Sequence, residues 1–183
     1  MPRRLVILDR DGVINHESED FIRTPAEWVP IEGSLEGIAR LTRAGYTVAV
    51  ATNQSGIGRG LIDRAALEAI HRKMRRAVAD AGGAIDRIAY CPHAPEDGCD
   101  CRKPRPGLLR ELAAHYGVSL AGVPFIGDTE RDIDAALAVG ARPMLVLTGN
   151  GTLTEQALAR RGLAVETWPD LRAAAERLAE EAA

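Results

Sequence analysis

The chain has 183 residues, 46% of them hydrophobic, and a formal net charge of -3 at neutral pH. That length suits one globular domain with its own core, taken here as residues 1–183, and the weak negative charge offers nothing to nucleic acid or to an anionic membrane. No apolar run approaches the ~20 residues of a membrane span, and the few residues before Leu5 do not make a signal peptide, so a cytoplasmic protein is expected.

Residues 5–8 are apolar at every position, as in a strand buried on both faces of a parallel sheet. They run into Asp9-Arg10-Asp11-Gly12. Residues 15–33 form a long mixed segment, and loops of that length in compact domains usually serve function. A helix is expected over 34–44, with Ser34 as its cap and Gly45 as its stop. Residues 47–52 are the second strand, followed by a glycine-rich loop. The next helix, 63–81, is capped by Asp63. Its basic cluster at 72–76 is interleaved with apolar positions and reads as a solvated helix face. Residues 85–91 are the third strand, and 92–106 show little periodicity. Gly107–Tyr116, 130–139, 154–161 and 170–181 are expected helices, with strands at Pro124–Gly127 and 144–147. Strands alternating with helices predict right-handed crossovers and a doubly wound, mostly parallel α/β sheet.

In such sheets ligands bind beyond the carboxyl ends of the strands, where Asp9 and Asp11 fall. Two crowded carboxylates attract a hard divalent cation, although Asp-x-Asp-Gly is also an ordinary turn. Thr52-Asn53-Gln54-Ser55-Gly56-Ile57-Gly58-Arg59-Gly60 offers hydroxyls, amides and backbone N–H groups to a phosphate, or is simply a flexible turn. It has neither the dinucleotide glycine spacing nor a P-loop lysine. Arg102-Lys103-Pro104 sets two cations on stiffened chain, suited to phosphate or exposed to solvent. Asp128 follows the fourth strand and could join Asp9 and Asp11 around a metal. Asp132 reads as a helix cap or a solvent-facing acid. Cys91, His93, Cys99 and Cys101 make a Cys₃His set matching structural zinc in ligand type and count, with no position left for water. His16, His71 and His115 show no grouping and read as surface or packing residues.

In order along the chain, Asp9-x-Asp11-Gly12, Thr52, Lys103 and Gly127-Asp128 with Asp132 resemble the four motifs of the haloacid dehalogenase superfamily. The resemblance covers most of the chain and implies a Rossmann-like core without a cap domain. It implies Asp9 as nucleophile, Asp11 as acid and base, and Thr52 and Lys103 as phosphoryl ligands. Mg²⁺ would be held by Asp9, Asp128 and the backbone carbonyl of Asp11. The Cys-x-His…Cys-x-Cys-Arg-Lys-Pro loop is similar to a zinc-containing branch that includes heptose-bisphosphate and histidinol-phosphate phosphatases. By that analogy Glu17, Ser18, Glu19, Asp20, Thr52, Asn53, Gln54, Ser55, Arg102, Lys103 and Thr129 line the substrate site, with Arg59 or Arg102 facing a second phosphate. The glycine-rich loop favours the heptose enzymes, so a phosphorylated sugar is the expected partner of a monomeric enzyme. Histidinol phosphate is the alternative substrate, and a zinc-stabilised, non-catalytic binding module the alternative class.

Overall fold

In the computed structural model, which describes residues 4–183, six strands alternate with six helices. These are β1 (Arg4–Leu8), α1 (Ser34–Arg43), β2 (Tyr46–Asn53), α2 (Arg64–Asp80), β3 (Arg87–Cys91), α3 (Gly107–Tyr116), β4 (Pro124–Gly127), α4 (Glu130–Leu137), β5 (Arg142–Val146), α5 (Gly151–Arg160), β6 (Glu166–Trp168) and α6 (Leu171–Ala182). The strand order is β3-β2-β1-β4-β5-β6 and every pairing is parallel. The order reverses between β1 and β4, and that crevice is the natural ligand site of a doubly wound sheet.

Alternation along β1 divides the core. Val6 and Leu8 pack with Ile38 and Leu41 of α1, Leu67, Ile70 and Met74 of α2, and Leu171 of α6. Leu5 and Ile7 face the opposite layer, with Leu108, Leu109 and Leu112 of α3 and Ala135 and Ala136 of α4. Every one of these side chains is buried. A strand covered on both faces by helices has to be apolar at successive positions, which is the pattern of residues 5–8.

Beyond shifts of one or two residues at the ends of other elements, such as β5 from 144–147 to Arg142–Val146 and the end of α4 from 139 to Leu137, four details depart from the sequence reading. Strand β6 was not anticipated: it has three half-buried residues and pairs only with β5. Helix α5 starts at Gly151 rather than 154. Strand β3 starts at Arg87 rather than 85, because the Ile85 carbonyl accepts from the Arg75 guanidinium instead of a neighbouring strand. Ser34 does not cap α1. The cap position is Gly33, at φ 82°, and the Ser34 hydroxyl donates to the Val13 carbonyl at 2.8 Å, tying the helix start to the loop after β1. Asp63 does cap α2, accepting from the Ala66 N–H at 2.8 Å.

The long segments after β1 and β3 carry only short 3₁₀ turns, Pro25–Glu27 and Pro95–Asp97. Among the described residues no cap domain stands over the carboxyl edge of the sheet. No helix among them is long and apolar enough to cross a membrane.

Candidate active site

Beyond β1 the chain turns tightly. The N–H groups of Val13, Ile14 and Asn15 all point at the Arg10 carbonyl, and Gly12 donates to the Asn15 carbonyl at 2.8 Å. The turn needs Gly12 at φ 82°, and a Cβ there would collide with the Asp128 carboxylate. A side chain at Gly149 would meet the same carboxylate. The backbone therefore closes around Asp128, which is fully buried at the end of β4.

Asp9, Asp128 and Asp132 can each place a carboxylate oxygen within 4.8 Å of the others. Burial raises the Asp9 carboxyl to about 7, with the charges of Asp132 and Asp11 adding to the shift and that of Lys103 opposing it. Burial and the same crowding raise Asp128 to about 8. Asn150 N–H donates to Asp128 Oδ2 at 2.9 Å, while Oδ1 is buried with no hydrogen-bond partner. An orphaned carboxylate oxygen beside two further acids is a donor set that fits a hard divalent cation.

Lys103 enters from the opposite side, 2% exposed. Its ammonium donates to Asp9 Oδ1 at 2.9 Å, Asp132 Oδ1 at 2.6 Å and the Ala51 carbonyl at 2.8 Å. Burial would lower its pKa, but the Asp132 and Asp9 charges outweigh that and raise it. Asp132 thus caps the start of α4, as the helix-cap reading has it, but it is buried rather than facing solvent. One oxygen holds Lys103, and the other accepts from the N–H groups of Asp128 and Thr129 and from the Thr129 hydroxyl.

Asp11 is held differently. Its Oδ1 accepts from Arg10 Nε and Nη2 at 3.1 and 2.8 Å and from Asn15 Nδ2 at 2.9 Å. Its Oδ2 accepts from Gln54 Nε2 at 2.9 Å. Desolvation pushes this carboxyl up, but the Arg10 charge and the bonds from Asn15, Arg10 and Gln54 outweigh it and hold it below the ordinary carboxylate range. Two aspartates one residue apart therefore shift in opposite directions, Asp9 upward and Asp11 downward, because only Asp11 has the Arg10 guanidinium beside it.

One cavity of about 190 Å³ gathers most of the expected residues: Asp9, Asp11, Glu17, Ser18, Thr52, Asn53, Gln54, Ser55, Arg102, Lys103 and Thr129. Gln54 also donates to the Thr52 hydroxyl at 3.0 Å. Asn53 is committed to the backbone. It accepts from Lys103 N–H at 3.0 Å and donates to the Lys103 carbonyl at 3.1 Å, clamping the cysteine loop to the end of β2. Glu17 accepts from Asn150 Nδ2 at 2.9 Å. Glu19, Asp20 and Arg59 are exposed and do not line the cavity. Asp132 of the fourth motif lines it too, and Arg10, Phe21, Ile22 and Arg131 line it without having been anticipated. Arg10 carried a signal, since alternation from Val6 and Leu8 aims it at the α2 layer. Phe21 carried none, because its turn depends on a backbone at φ 65°.

A neighbouring hollow of about 350 Å³ shares Arg102, Lys103 and Arg131 with the first and adds Arg105. Desolvation lowers the Arg102 pKa, and the nearby charges of Arg131 and Arg59 add to it. Arg102 Nη1 is buried with no hydrogen-bond partner.

Next to these cations, Cys91, His93, Cys99 and Cys101 converge. The Cys91 sulfur is 3.5 Å from His93 Nδ1, 3.5 Å from the Cys99 sulfur and 3.1 Å from the Cys101 sulfur. His93 Nδ1 lies 3.2 Å from the Cys101 sulfur. Three sulfurs and a ring nitrogen at these separations are the edges of a tetrahedral donor set of the kind that takes zinc.

A parallel sheet with its crevice between β1 and β4, paired aspartates after β1 and a buried lysine opposite them define a hydrolase of the haloacid dehalogenase class. A family model described as HAD-hydrolase-like matches residues 100–174. The chain is 59% identical over 154 residues to the D-glycero-β-D-manno-heptose-1,7-bisphosphate 7-phosphatase of Pseudomonas aeruginosa, covering 84% of this chain and 86% of that one. Among solved structures, the D,D-heptose 1,7-bisphosphate phosphatase of B. bronchiseptica, complexed with magnesium and phosphate, superposes with a TM-score of 0.92 and 54% identity over 97% of this chain and 99% of that one. The corresponding phosphatase of Burkholderia thailandensis gives 0.74 and 46%, over 96% and 98%. The chain belongs to the family of D-glycero-β-D-manno-heptose-1,7-bisphosphate 7-phosphatases.

Proposed function

We propose that this enzyme removes the 7-phosphate of D-glycero-D-manno-heptose 1,7-bisphosphate, in the biosynthesis of nucleotide-activated heptose, through an aspartyl-phosphate on Asp9. The observation that carries this reading is the convergence of Asp9, Asp11, Thr52 and Lys103 on one cavity that continues into an arginine-lined hollow.

An Asp9 carboxylate oxygen attacks phosphorus in line as the bond to the sugar oxygen breaks. Arg10 favours the charged form of Asp11, and the phosphate dianion of the substrate opposes it, so Asp11 enters this step protonated and passes its proton to the leaving oxygen. Water then attacks phosphorus and gives its proton to Asp11, the bond to Asp9 breaks, and inorganic phosphate leaves. Lys103 and the Thr52 hydroxyl hold the phosphoryl oxygens, and Lys103 also fixes the nucleophile. Mg²⁺ bound by Asp9, Asp128 and the Asp11 carbonyl would neutralise these carboxylates and the phosphoryl charge.

The cavity over Asp9 lies below the ~300–1,000 Å³ that usually encloses a drug-sized ligand, so it takes the phosphoryl group and the adjoining carbons. The rest of the sugar reaches the shared rim, where Arg102 and Arg131 suit a second phosphate. Arg59 lies off both hollows, so Arg102 takes the role given to either residue on sequence grounds. Histidinol phosphate would bring a cationic amine toward these arginines. Heptose 1,7-bisphosphate is therefore expected to exceed histidinol phosphate in kcat/KM by at least ~10²-fold, about 2.7 kcal/mol. Arg102→Ala should shrink that gap and affect a small aryl phosphate less. Comparable kcat/KM values for the two natural substrates would overturn the assignment.

Zinc on Cys91, His93, Cys99 and Cys101 would hold the loop rather than react, because four protein ligands leave no site for water. Arg102 and Lys103 follow Cys101 directly. Cys99→Ser is expected to lose zinc and lower kcat/KM about 10-fold or more through misplaced cations, with far-ultraviolet circular dichroism unchanged. Elemental analysis should find about one zinc per wild-type chain. Its absence from protein purified without chelator would defeat this reading.

A further inference from the structure

Arg10 is the largest charged side chain in the interior, 1% exposed, and a buried guanidinium needs acceptors for its N–H groups. Nε and Nη2 spend theirs on one oxygen of Asp11, at 3.1 and 2.8 Å. Nη1 points the other way, 3.1 Å from Nε2 of His71. Arginine can only donate, so His71 Nε2 is the acceptor and the ring proton sits on Nδ1. His71 lies on the buried face of α2, 7% exposed, with its ring centroid 6.2 Å from that of Tyr90. Burial, with the Arg10 charge adding to it, lowers its pKa to about 3, which agrees with a neutral acceptor.

We propose that His71 is a positioning residue for Asp11, acting through Arg10. Asp11 Oδ1 is occupied by three donors from Arg10 and Asn15, whereas Oδ2 has only Gln54. The guanidinium thus fixes which oxygen is left to exchange a proton with the sugar oxygen. The fork is held at both ends, by Asp11 in the site and by His71 in the helical layer behind it. Without the imidazole, Nη1 is buried with no acceptor, and the guanidinium turns to find one, taking Asp11 with it. This rests on the reading of Asp11 as general acid and base.

The test compares two esters. A sugar phosphate has a poor alkoxide leaving group and needs the Asp11 proton, while p-nitrophenyl phosphate has a good one and needs it far less. kcat/KM reports every step through departure of the leaving group, so later hydrolysis of the intermediate does not mask the difference. His71→Leu is expected to lower kcat/KM about 10-fold or more for the sugar phosphate and no more than about 2-fold for the aryl ester, mainly in kcat. His71→Gln, which restores an acceptor oxygen, should recover most of the loss. Equal losses on both esters in a folded His71→Leu protein, or equal losses for Leu and Gln, would overturn the proposal.

Should His71→Leu fail to fold, His71→Asn takes its place. Its shorter side chain is polar but falls short of Arg10, so it should show the leaving-group signature that His71→Gln lacks, and identical behaviour would overturn the proposal. Asp11→Asn separates two failures. If it harms both esters equally, the acid–base reading falls and this inference with it. If Asp11→Asn is selective and His71→Leu is not, only this inference falls.

Discussion

Asp9→Asn is expected to remove turnover, by ~10⁴-fold or more in kcat, without weakening the fold. The amide nearly matches the carboxyl in volume and keeps an oxygen that can accept from Lys103, so packing beyond β1 is undisturbed. It lacks the lone-pair charge that attacks phosphorus. Stability should hold or rise, because Asp9 lies among Asp11, Asp128 and Asp132 and its ionisation is opposed by burial and by Asp132. Removing one negative charge from that group relieves Asp128, whose carboxyl is raised partly by Asp9. The check has two parts. Acid-quenched wild-type enzyme mixed with radiolabelled substrate should retain covalent phosphate, and the variant should retain none. Thermal unfolding should give the variant a Tm no lower than wild type. Phosphate trapped on the variant, or turnover near the wild-type rate, would exclude Asp9 as nucleophile.

Much of the site could be read from the sequence because of where these residues sit in the pattern. Asp9, Thr52 and Asp128 each end or follow an apolar run, and a parallel sheet delivers all such ends to one edge. The cysteine cluster was legible because four soft ligands crowded into eleven residues have few other uses. What depends on the path of the loops was not legible. Glu19 and Asp20 adjoin Glu17 and Ser18, yet only the first pair of this run reaches the cavity, since the chain turns at Phe21. Asp132 lies four residues past Asp128 on a helix start, where an exposed acid is ordinary. Its burial follows from Lys103, 29 positions away in sequence and reaching it through space. His71 is a similar case: alternation along β1 aims Arg10 at the α2 layer, but His71 has no local meaning until α2 is packed over β1. Strand β6 escaped because Glu166-Thr167-Trp168 is too short to show alternation.

The larger effect on stability is expected at Lys103. Its ammonium is the counter-charge of both Asp9 and Asp132, and all three side chains are at most a tenth exposed. Lys103→Met keeps the length and apolar stem of the side chain, which lies 5.4 Å from the Phe125 ring centroid, and deletes only the charge and its three hydrogen bonds. Two buried carboxylates are then left without a cation, and removing one partner of a buried pair typically costs about 3–5 kcal/mol. For a chain of this size that corresponds to a fall in Tm of roughly 10 °C. The loss should deepen with pH. Asp9 is already raised to about 7 with Lys103 present, and deleting the ammonium raises it further. A carboxyl whose folded pKa exceeds its unfolded value binds more protons when folded, so stability declines as pH climbs through that interval. The deficit of Lys103→Met relative to wild type should therefore be greater at pH 8 than at pH 5.5, and kcat should fall by at least ~10²-fold at either. Asp132→Asn provides the partner for a double-mutant cycle, in which the two losses should be strongly non-additive because each removes the same ion pair. Additive losses in urea unfolding, or a Tm change of only a degree or two in Lys103→Met, would mean that the Asp9–Lys103–Asp132 bridge does not hold the site together.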